Sequence, residues 1–312
     1  MIRDNIFIVG QQDAGRRLDV LLLEAFPRSS RAFCRQAIEQ GRVLLNGQQA
    51  PKGRKAATGD RIAVLALKEE SDNRVRPDPS VSLTIIFEDA HLIAVSKPGC
   101  MAVHPLNSEE RGTLMNGLVA RYPELATVGD HPLMAGALHR IDTGTSGLVL
   151  AARTDEAFEK LRGQFSAQSV RKVYLALVEG HVAVPGHLEH ELAHCPDLPH
   201  CKMADAARLR EPRRRMRAVT AYRPVELVGR YTLMEVVIYT GVTHQIRCQM
   251  ALAGWPVAND MLYGARSAEG CRRHMLHAFE AEFEHPADGA ACRLQAPLAA
   301  DFKAFMRKAG SV

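Results

Sequence analysis

No apolar run in this sequence approaches the roughly 18 residues that a membrane-spanning helix requires. The first residues, MIRDN, do not follow the basic-then-apolar order of a secretory signal, so we expect no export. The seven cysteines are odd in number and scattered, which argues against a disulfide framework and for a reducing compartment. We find no internal repeat and no convincing phosphate-binding or dinucleotide-binding loop. Together these absences favour a cytoplasmic protein without membrane attachment.

Positive charge is concentrated at the start of the chain. Residues 1–68 contain 12 Lys and Arg against 6 Asp and Glu, a net charge of +6, whereas the whole chain carries +5. Residues 69–312 therefore sum to −1. A basic module commonly meets phosphate, because neutralising phosphates releases counterions. A solvated basic face is the alternative.

The length of 312 residues favours about two domains, at roughly 150 residues for each. The segment 68–82, KEESDNRVRPDPSVS, is polar, contains two prolines and shows no apolar period, which is typical of a linker. We therefore predict a first domain over residues 14–68, a linker over 69–82 and a second domain over 83–312.

The first domain is predicted to contain two helices followed by short strands. Apolar residues recur at helical spacing within 16–26, Pro27 ends that pattern, and a second helix follows over 31–41. The pair Asn46-Gly47 predicts a hairpin turn, and a further strand ends at Leu67.

The second domain mixes strands and helices without regular alternation, which favours an α+β fold over a doubly wound sheet. Two strands are predicted between residues 83 and 97. In the strand-like stretch 169–182, Val173, Leu175 and Leu177 should face one side and Tyr174, Ala176 and Val178 the other. Residues 230–264 begin as a strand and become helical near His244.

Two short motifs admit hydrolase chemistry. The stretch HELAH, 190–194, is a His-Glu-x-x-His, but zinc binding needs both histidines on one face of a helix, and flanking prolines leave little room for one. We predict a strand with Leu188 and Leu192 inward and His187, His190 and His194 outward, so a zinc hydrolase is a distant alternative. Ser146, which could pair with His139, lacks the Gly-x-Ser-x-Gly spacing of a serine hydrolase.

A lone acid, Asp142, stands between an apolar run and the pair His139-Arg140. Asp before Thr-Gly is commonly just a turn residue. The whole stretch 139–153, HRIDTGTSGLVLAAR, however, resembles the central motif of RluA-type pseudouridine synthases. Ile141 replaces the usual Leu, and Thr143-Gly144 replace a pair that is commonly charged.

Further segments resemble that family in the correct order. They are SKPGCMAVHP (96–105), KVYLALVEG (172–180), TGVTHQIR (240–247) with the Asp-x-x-Tyr-Gly that follows it, and HMLHAFEAEFEHP (274–286). Val242 stands where the family usually has Arg. Residues 14–68 resemble an S-four-type RNA-binding domain, through Arg17-Leu18-Asp19, Ser30-Arg31 and Asn46-Gly47 among others.

The resemblance implies that the protein isomerises uridine in RNA to pseudouridine without a cofactor or a metal. It also implies that the catalytic domain is a mixed, mainly antiparallel sheet flanked by helices. It assigns the chemistry to Asp142, with Arg247 as its ion-pair partner and Tyr174 stacking on the base. Arg140 would fill the space of the flipped-out base. His139, His244 and Gln245 would bind the substrate or shape its pocket. A purely structural role is the alternative for His244 and Gln245. The residues expected to face RNA are Arg17, Arg31, Arg35, Lys52 and Arg54.

Family association favours ribosomal RNA of the large subunit over transfer RNA, and we expect a monomer. The segment 208–217, RLREPRRRMR, holds six arginines and is predicted to contact RNA or to form a solvated face. The alternative from another class is a non-catalytic RNA-binding or ribosome-associated protein.

Removing residues 1–76 should weaken RNA binding and make its salt dependence shallower, because the truncated chain lacks the +6 module. Dissociation constants measured between about 50 and 200 mM salt check this expectation. A slope equal to that of the full chain would show that the basic module neutralises no phosphate.

Overall fold

The chain folds into two compact units, residues 1–74 and 75–312. This computed structural model describes residues 3–26, 31–51, 53–67, 73–195, 203–212, 214–268 and 270–311. The boundary falls inside the segment 69–82 that we predicted as linker. Val75 is buried in the core of the second unit, and its N–H donates to the Pro132 carbonyl at 3.2 Å. The truncation is therefore better made at Arg74.

The first unit, in its described part, consists of two helices and a small antiparallel sheet. Its elements are β1 (Arg3–Ile8), α1 (Leu18–Ala25), α2 (Arg31–Glu39), β2 (Val43–Leu45), β3 (Gln48–Gln49) and β4 (Arg61–Leu67). The strand order is β1-β4-β2-β3. The predicted hairpin at Asn46-Gly47 is confirmed, with left-handed φ values of 52° and 82°. The predicted first domain began at residue 14 and therefore left out strand β1. The pairing of β1 with β4 is a long-range contact that local sequence patterns do not reveal.

The second unit is a large sheet with helices on both faces. Its elements are β5 (Ile85–Glu88), β6 (Leu92–Lys97), α3 (Leu114–Arg121), β7 (Ser146–Ala152), α4 (Asp155–Ser166), β8 (Arg171–Glu179), β9 (Gly186–His194), β10 (Met203–Asp205), β11 (Met216–Val228), β12 (Tyr231–Ile238), α5 (Gln245–Leu252), β13 (Leu276–Glu284), β14 (Ala291–Gln295) and α6 (Ala300–Gly310).

The strand order is β10-β9-β11-β12-β8-β13-β7-β6-β5, with β14 paired to β13. Strands β7 and β13 pair in parallel, and the other neighbours pair antiparallel. This confirms the predicted α+β fold with a mixed, mainly antiparallel sheet. None of the helices in the described ranges is long and apolar enough to cross a membrane.

Strand β7 is buried on both faces, which explains its continuous apolar sequence. Leu148 and Leu150 pack with α4 on one face, whereas Val149 and Ala151 pack with α3 and α5 on the other. Helix α6 covers β8 through Phe302. A strand buried in this way has little freedom, so a turn directly before it is held in place.

The motif HELAH lies in strand β9 and not in a helix, as predicted. Side chains four residues apart on a strand are about 13 Å apart, too far for His190 and His194 to share one ion. The expectation that His190 faces solvent is wrong. It shares a face with Leu188 and Leu192 because side chains alternate along a strand, and its Nδ1 lies 3.1 Å from Gln249 Nε2.

Gly147→Ala should destabilise the second unit by about 3 kcal/mol or more. Gly147 has a φ of +111°, and a Cβ there would lie 2.1 Å from the backbone oxygen of Ala278, which pairs in the sheet. The matched control is Gly163→Ala on helix α4, where the added Cβ meets nothing within 4 Å. The control should stabilise by about 0.5–1 kcal/mol, because alanine favours the helix. Urea unfolding measures both, and equal effects would contradict this account of β7.

Candidate active site

Asp142 lies in a turn directly before β7, an inner strand of the large sheet. Its carbonyl accepts a hydrogen bond from the Thr145 N–H at 2.9 Å, which closes the turn 142–145. The end of β6 and the start of β13 lie beside the start of β7, since Lys97 pairs with Gly147 and His277 pairs with Ser146. Both strands therefore present side chains to the turn.

Four consecutive residues after Asp142 are held by side chains from β6 and from the segment around β13. Lys97 Nζ donates to the Thr143 carbonyl at 3.3 Å, and Arg273 Nη1 donates to the Gly144 carbonyl at 3.1 Å. The remaining two contacts are His274 Nε2 with Thr145 Oγ1 at 2.8 Å and His277 Nδ1 with Ser146 Oγ at 2.9 Å. The turn is consequently fixed residue by residue.

The imidazoles and the lysine that hold this turn are themselves buried. Burial, followed by the charge of Arg247, lowers the pKa of His274 to about 4, and burial lowers that of His277 to about 4. Both rings are neutral at neutral pH. Burial, with the charge of Arg273, lowers the pKa of Lys97 to about 7, while its Nζ donates to the carbonyls of Pro98 and Met101 in addition to Thr143.

Arg247, on helix α5, joins two carboxylates. Its Nε and Nη2 donate to the two oxygens of Asp260 at 2.6 and 2.8 Å, and its Nη1 donates to Asp142 Oδ2 at 2.8 Å. The guanidinium lies 5.2 Å from the centre of the Tyr263 ring. Its side chain is only 7% exposed, so these charge-assisted hydrogen bonds act in a desolvated setting.

Asp142 is kept ionised although it lies against the protein interior. Burial alone would raise its pKa, but the charge of His244 and the charge and hydrogen bond of Arg247 lower it below its usual value. The His244 Nε2 lies 3.7 Å from Asp142 Oδ2. Both contacts fall on Oδ2, and Oδ1 accepts no hydrogen bond from the part of the chain that the structure describes. With 25% of its side chain exposed, Asp142 can meet a substrate.

His244 and Gln245 form the junction between a loop and helix α5. His244 has a left-handed φ of 54°, and its Nδ1 lies 3.0 Å from the Tyr263 hydroxyl. Gln245 is buried; its Oε1 accepts from Thr240 Oγ1 at 2.8 Å, and its Nε2 donates to the Val219 carbonyl at 3.0 Å. Gln245 therefore ties the loop to the sheet, whereas His244 faces Asp142.

A cleft of about 460 Å³ opens in front of Asp142. All seven residues that the sequence analysis proposed for catalysis and substrate binding line it: His139, Arg140, Asp142, Tyr174, His244, Gln245 and Arg247. Tyr174 is buried, and burial together with the charge of Asp142 raises the pKa of its phenol. Arg140 is exposed.

His139 lines the cleft but is anchored to the fold. Its Nε2 accepts the Leu150 N–H at 3.1 Å, and its ring stacks on Phe165 with centroids 5.1 Å apart. Burial and the charge of Lys172 lower its pKa to about 3, so the ring is neutral. These contacts hold the His-Arg pair against β7, which places Arg140 beside the cleft.

Three further site residues were not predicted from the sequence: Asp260, Arg273 and Lys172. Asp260 begins the Asp-x-x-Tyr-Gly segment, so a signal for it was present in the motif. Lys172 lines the cleft and donates to the carbonyls of Tyr239 and Thr240 at 2.7 and 3.2 Å. Burial lowers its pKa to about 8. Arg273 had no local signal, because its partners come from three separate elements.

In the first unit, two arginines that were expected to face RNA share one acid. The Nε of Arg17 and the Nε of Arg35 lie 2.8 and 2.9 Å from the two oxygens of buried Asp19. Asp19 thereby orients both guanidinium groups and offsets one of their two charges. Arg54 is exposed. The side chain of Arg31 and the whole of Lys52 lie outside the described residues.

Among the residues that the structure describes, no group of three or more His, Cys, Asp or Glu side chains is placed to hold a metal ion.

A carboxylate that is held ionised beside an open cleft suits reactions in which a sugar carbon becomes positive. The positive charge of the first unit favours a nucleic acid as the molecule that carries this sugar. Fold and site thus suit an enzyme that acts on a sugar within a nucleic acid.

Comparison with known proteins identifies the family. Residues 91–252 match the model for RNA pseudouridylate synthase, and residues 16–62 match the S4 domain. The chain is 34% identical to ribosomal large subunit pseudouridine synthase D of Xanthomonas campestris, with 96% of this chain and 90% of that protein covered. It is 31% identical to the protein of that name from Pseudomonas aeruginosa, with 92% and 90% covered.

The solved structure of human RNA pseudouridylate synthase domain containing 1 shares the fold. It has a TM-score of 0.57 at 21% identity and covers 75% of this chain and 98% of its own. The chain belongs to the RNA pseudouridylate synthase family. Its activity is that of an RNA pseudouridine synthase, which isomerises uridine within RNA.

Asp260→Ala should lower the free energy of unfolding by about 3 kcal/mol or more, because it leaves the buried guanidinium of Arg247 with a single carboxylate. The control Glu189→Ala breaks the exposed pair with Arg217, in which both side chains are at least half exposed. Its cost should stay under about 1 kcal/mol. Chemical denaturation measures both variants, and a small effect at Asp260 would show that Arg247 does not depend on it.

Proposed function

We propose that the enzyme modifies uridine in large-subunit ribosomal RNA, with Asp142 as its catalytic carboxylate. The observation that carries this proposal is Asp142 itself: ionised, held by Arg247 through one oxygen, and open to the cleft through the other. The names of the relatives from Xanthomonas and Pseudomonas support the large ribosomal subunit as the source of the RNA.

The reaction begins with cleavage of the bond between uracil and the sugar. Positive charge develops at the anomeric carbon, and uracil leaves as an anion. The Oδ1 of Asp142 either attacks this carbon or removes a neighbouring sugar proton, and each route requires an ionised carboxylate with one free oxygen. The uracil then turns and forms a carbon–carbon bond to the same sugar. In the first route this bond displaces the Asp142 carboxylate, and in the second Asp142 returns the proton to the neighbouring sugar carbon. The ring carbon finally loses its proton and the ring nitrogen gains one. No net oxidation occurs and no water is consumed.

The target base must leave the RNA stack to reach Asp142. The cleft of about 460 Å³ has the size of a small-ligand pocket. Arg140, exposed beside the cleft, takes the place of the flipped base, because guanidinium planes stack well on neighbouring bases. Tyr174 stacks on the uracil. Its raised pKa keeps the phenol protonated, which favours stacking and hydrogen bonding over proton abstraction.

The first unit binds the RNA outside the target nucleotide. Arg17, Arg35 and Arg54 contact phosphates there. The ion pairs with Asp19 orient the guanidinium groups of Arg17 and Arg35. The enzyme acts as a cytoplasmic monomer without a cofactor. A non-catalytic RNA-binding role is less favoured, because such a protein has no need for the Asp142–Arg247 pair.

Asp142→Asn should abolish pseudouridine formation while RNA affinity changes by no more than a few-fold, since phosphate contacts dominate binding. The assay incubates ribosomal RNA transcripts with protein and maps carbodiimide adducts by primer extension. The matched control is Asp288→Asn, which neutralises an exposed carboxylate (68% exposed) whose hydrogen bond to the Ala290 N–H an amide can keep. Substantial activity of the Asp142 variant would remove the carboxylate from the mechanism.

A further inference from the structure

Arg273 lies buried beneath the turn that carries Asp142, and its side chain is only 2% exposed. Its guanidinium makes contacts in two directions. The Nε and Nη2 donate to the two oxygens of Asp301 at 2.6 and 2.8 Å. The Nη1 donates to the carbonyls of Gly144, Leu276 and His274 at 3.1, 3.2 and 3.3 Å. One side chain thus connects the turn, the start of β13 and helix α6.

The connection to α6 is anchored at the helix end. Asp301 lies in the first turn of α6, and its Oδ1 also accepts the Phe302 N–H at 2.9 Å. Phe302 is fully buried and packs with Leu177 and Leu233 of the sheet. The carboxylate that orients Arg273 is therefore fixed by the packing of the C-terminal helix.

The side chain of Arg273 has little room to move. Gly99 lies directly against it, and a Cβ at Gly99 would come within 2.2 Å of Arg273 Cδ and Nε. A rigid, planar guanidinium with fixed donor directions transmits a small displacement of its partner more directly than a flexible ammonium would. The contact with Gly144 is two residues from Asp142, so a shift of Arg273 moves the turn.

The two charged side chains of the pair differ in their exposure to solvent. Asp301 is 56% exposed, whereas Arg273 is buried. The hydrogen bond from Arg273 lowers the pKa of Asp301 below its usual range. Without that carboxylate the buried cation would face only carbonyl dipoles, and its guanidinium would reorient toward solvent or toward other acceptors.

We propose that Arg273 and Asp301 form a positioning pair that sets Asp142 through the Gly144 carbonyl, which makes the C-terminal helix a working part of the active site. The inference rests on the proposed catalytic role of Asp142. Neither residue touches the substrate. A misplacement of a reacting group by about 1 Å can cost on the order of 100-fold in rate, so the pair should control the chemical step more than RNA binding.

The test compares Asp301→Ala, Asp301→Asn and Arg273→Lys with the control Asp288→Asn. Single-turnover rates at saturating ribosomal RNA transcript report the chemical step, and equilibrium titration reports RNA affinity. Asp301→Ala should lower the rate by roughly 10- to 100-fold while the dissociation constant changes less than about twofold. Asp301→Asn should recover part of the rate because its amide oxygen still accepts one hydrogen bond. Asp288→Asn should leave both quantities unchanged.

Arg273→Lys should slow the reaction at least as much as Asp301→Ala, since an ammonium cannot serve Asp301 and three carbonyls at once. Adding Asp301→Ala to Arg273→Lys should then cost little more, because Asp301 acts through Arg273. Unchanged rates in the Asp301 variants, or a loss of RNA affinity as large as the loss of rate, would overturn the positioning role. If wild-type protein makes no pseudouridine, or Asp142→Asn is as active as wild type, the proposed function itself fails. If wild type is active, Asp142→Asn is inactive and the Asp301 variants are fully active, only the proposal of a positioning pair is contradicted.

Discussion

The active site depends on one buried cation, Arg247, placed between two carboxylates. Asp260 uses both of its oxygens on this guanidinium, whereas Asp142 uses one. The hydrogen bonds of Arg247 are thus divided unequally, and Asp142 keeps the open oxygen and the exposed surface. This asymmetry explains why Asp142 can act on a substrate while Asp260, which is buried, serves to hold Arg247.

The surrounding sheet supplies the rigidity that this arrangement requires. The turn after Asp142 is held at four successive residues, and the groups that hold it end β6 or lie at the start of β13. Since β7 is packed on both faces, the turn has a fixed base as well as fixed sides. Neutral imidazoles at His274 and His277 let hydrogen bonds form there without adding charge near Asp142. The electrostatics of the carboxylate therefore remain dominated by Arg247 and His244.

Two differences between the predicted and the observed structure have physical causes. His190 was placed in solvent because histidine is polar, but alternation along β9 puts it on the face of Leu188 and Leu192, where Gln249 satisfies it. The segment 75–82 was assigned to a linker because it is polar and rich in proline. It packs on the second unit through Val75, and through Asp78, whose N–H donates to the Asn116 carbonyl at 2.9 Å. In both cases composition was informative about polarity, whereas the partner came from a distant element.

By itself the sequence determined both helices and the hairpin of the first unit, the α+β class and seven of the residues that line the cleft, because local periodicity, turn residues and family motifs are written along the chain. The family motifs also named Arg247 as the ion-pair partner of Asp142, whereas only the tertiary structure showed the contacts that hold this pair in place. Asp142 and Arg247 are 105 positions apart and meet through one hydrogen bond, and the grip of Arg273 on Gly144 spans 129 positions. Asp260 and Asp301 became recognisable in the same way. The reason is that an ion pair is defined by distance in space and by desolvation, and neither quantity exists until the strands and helices have packed.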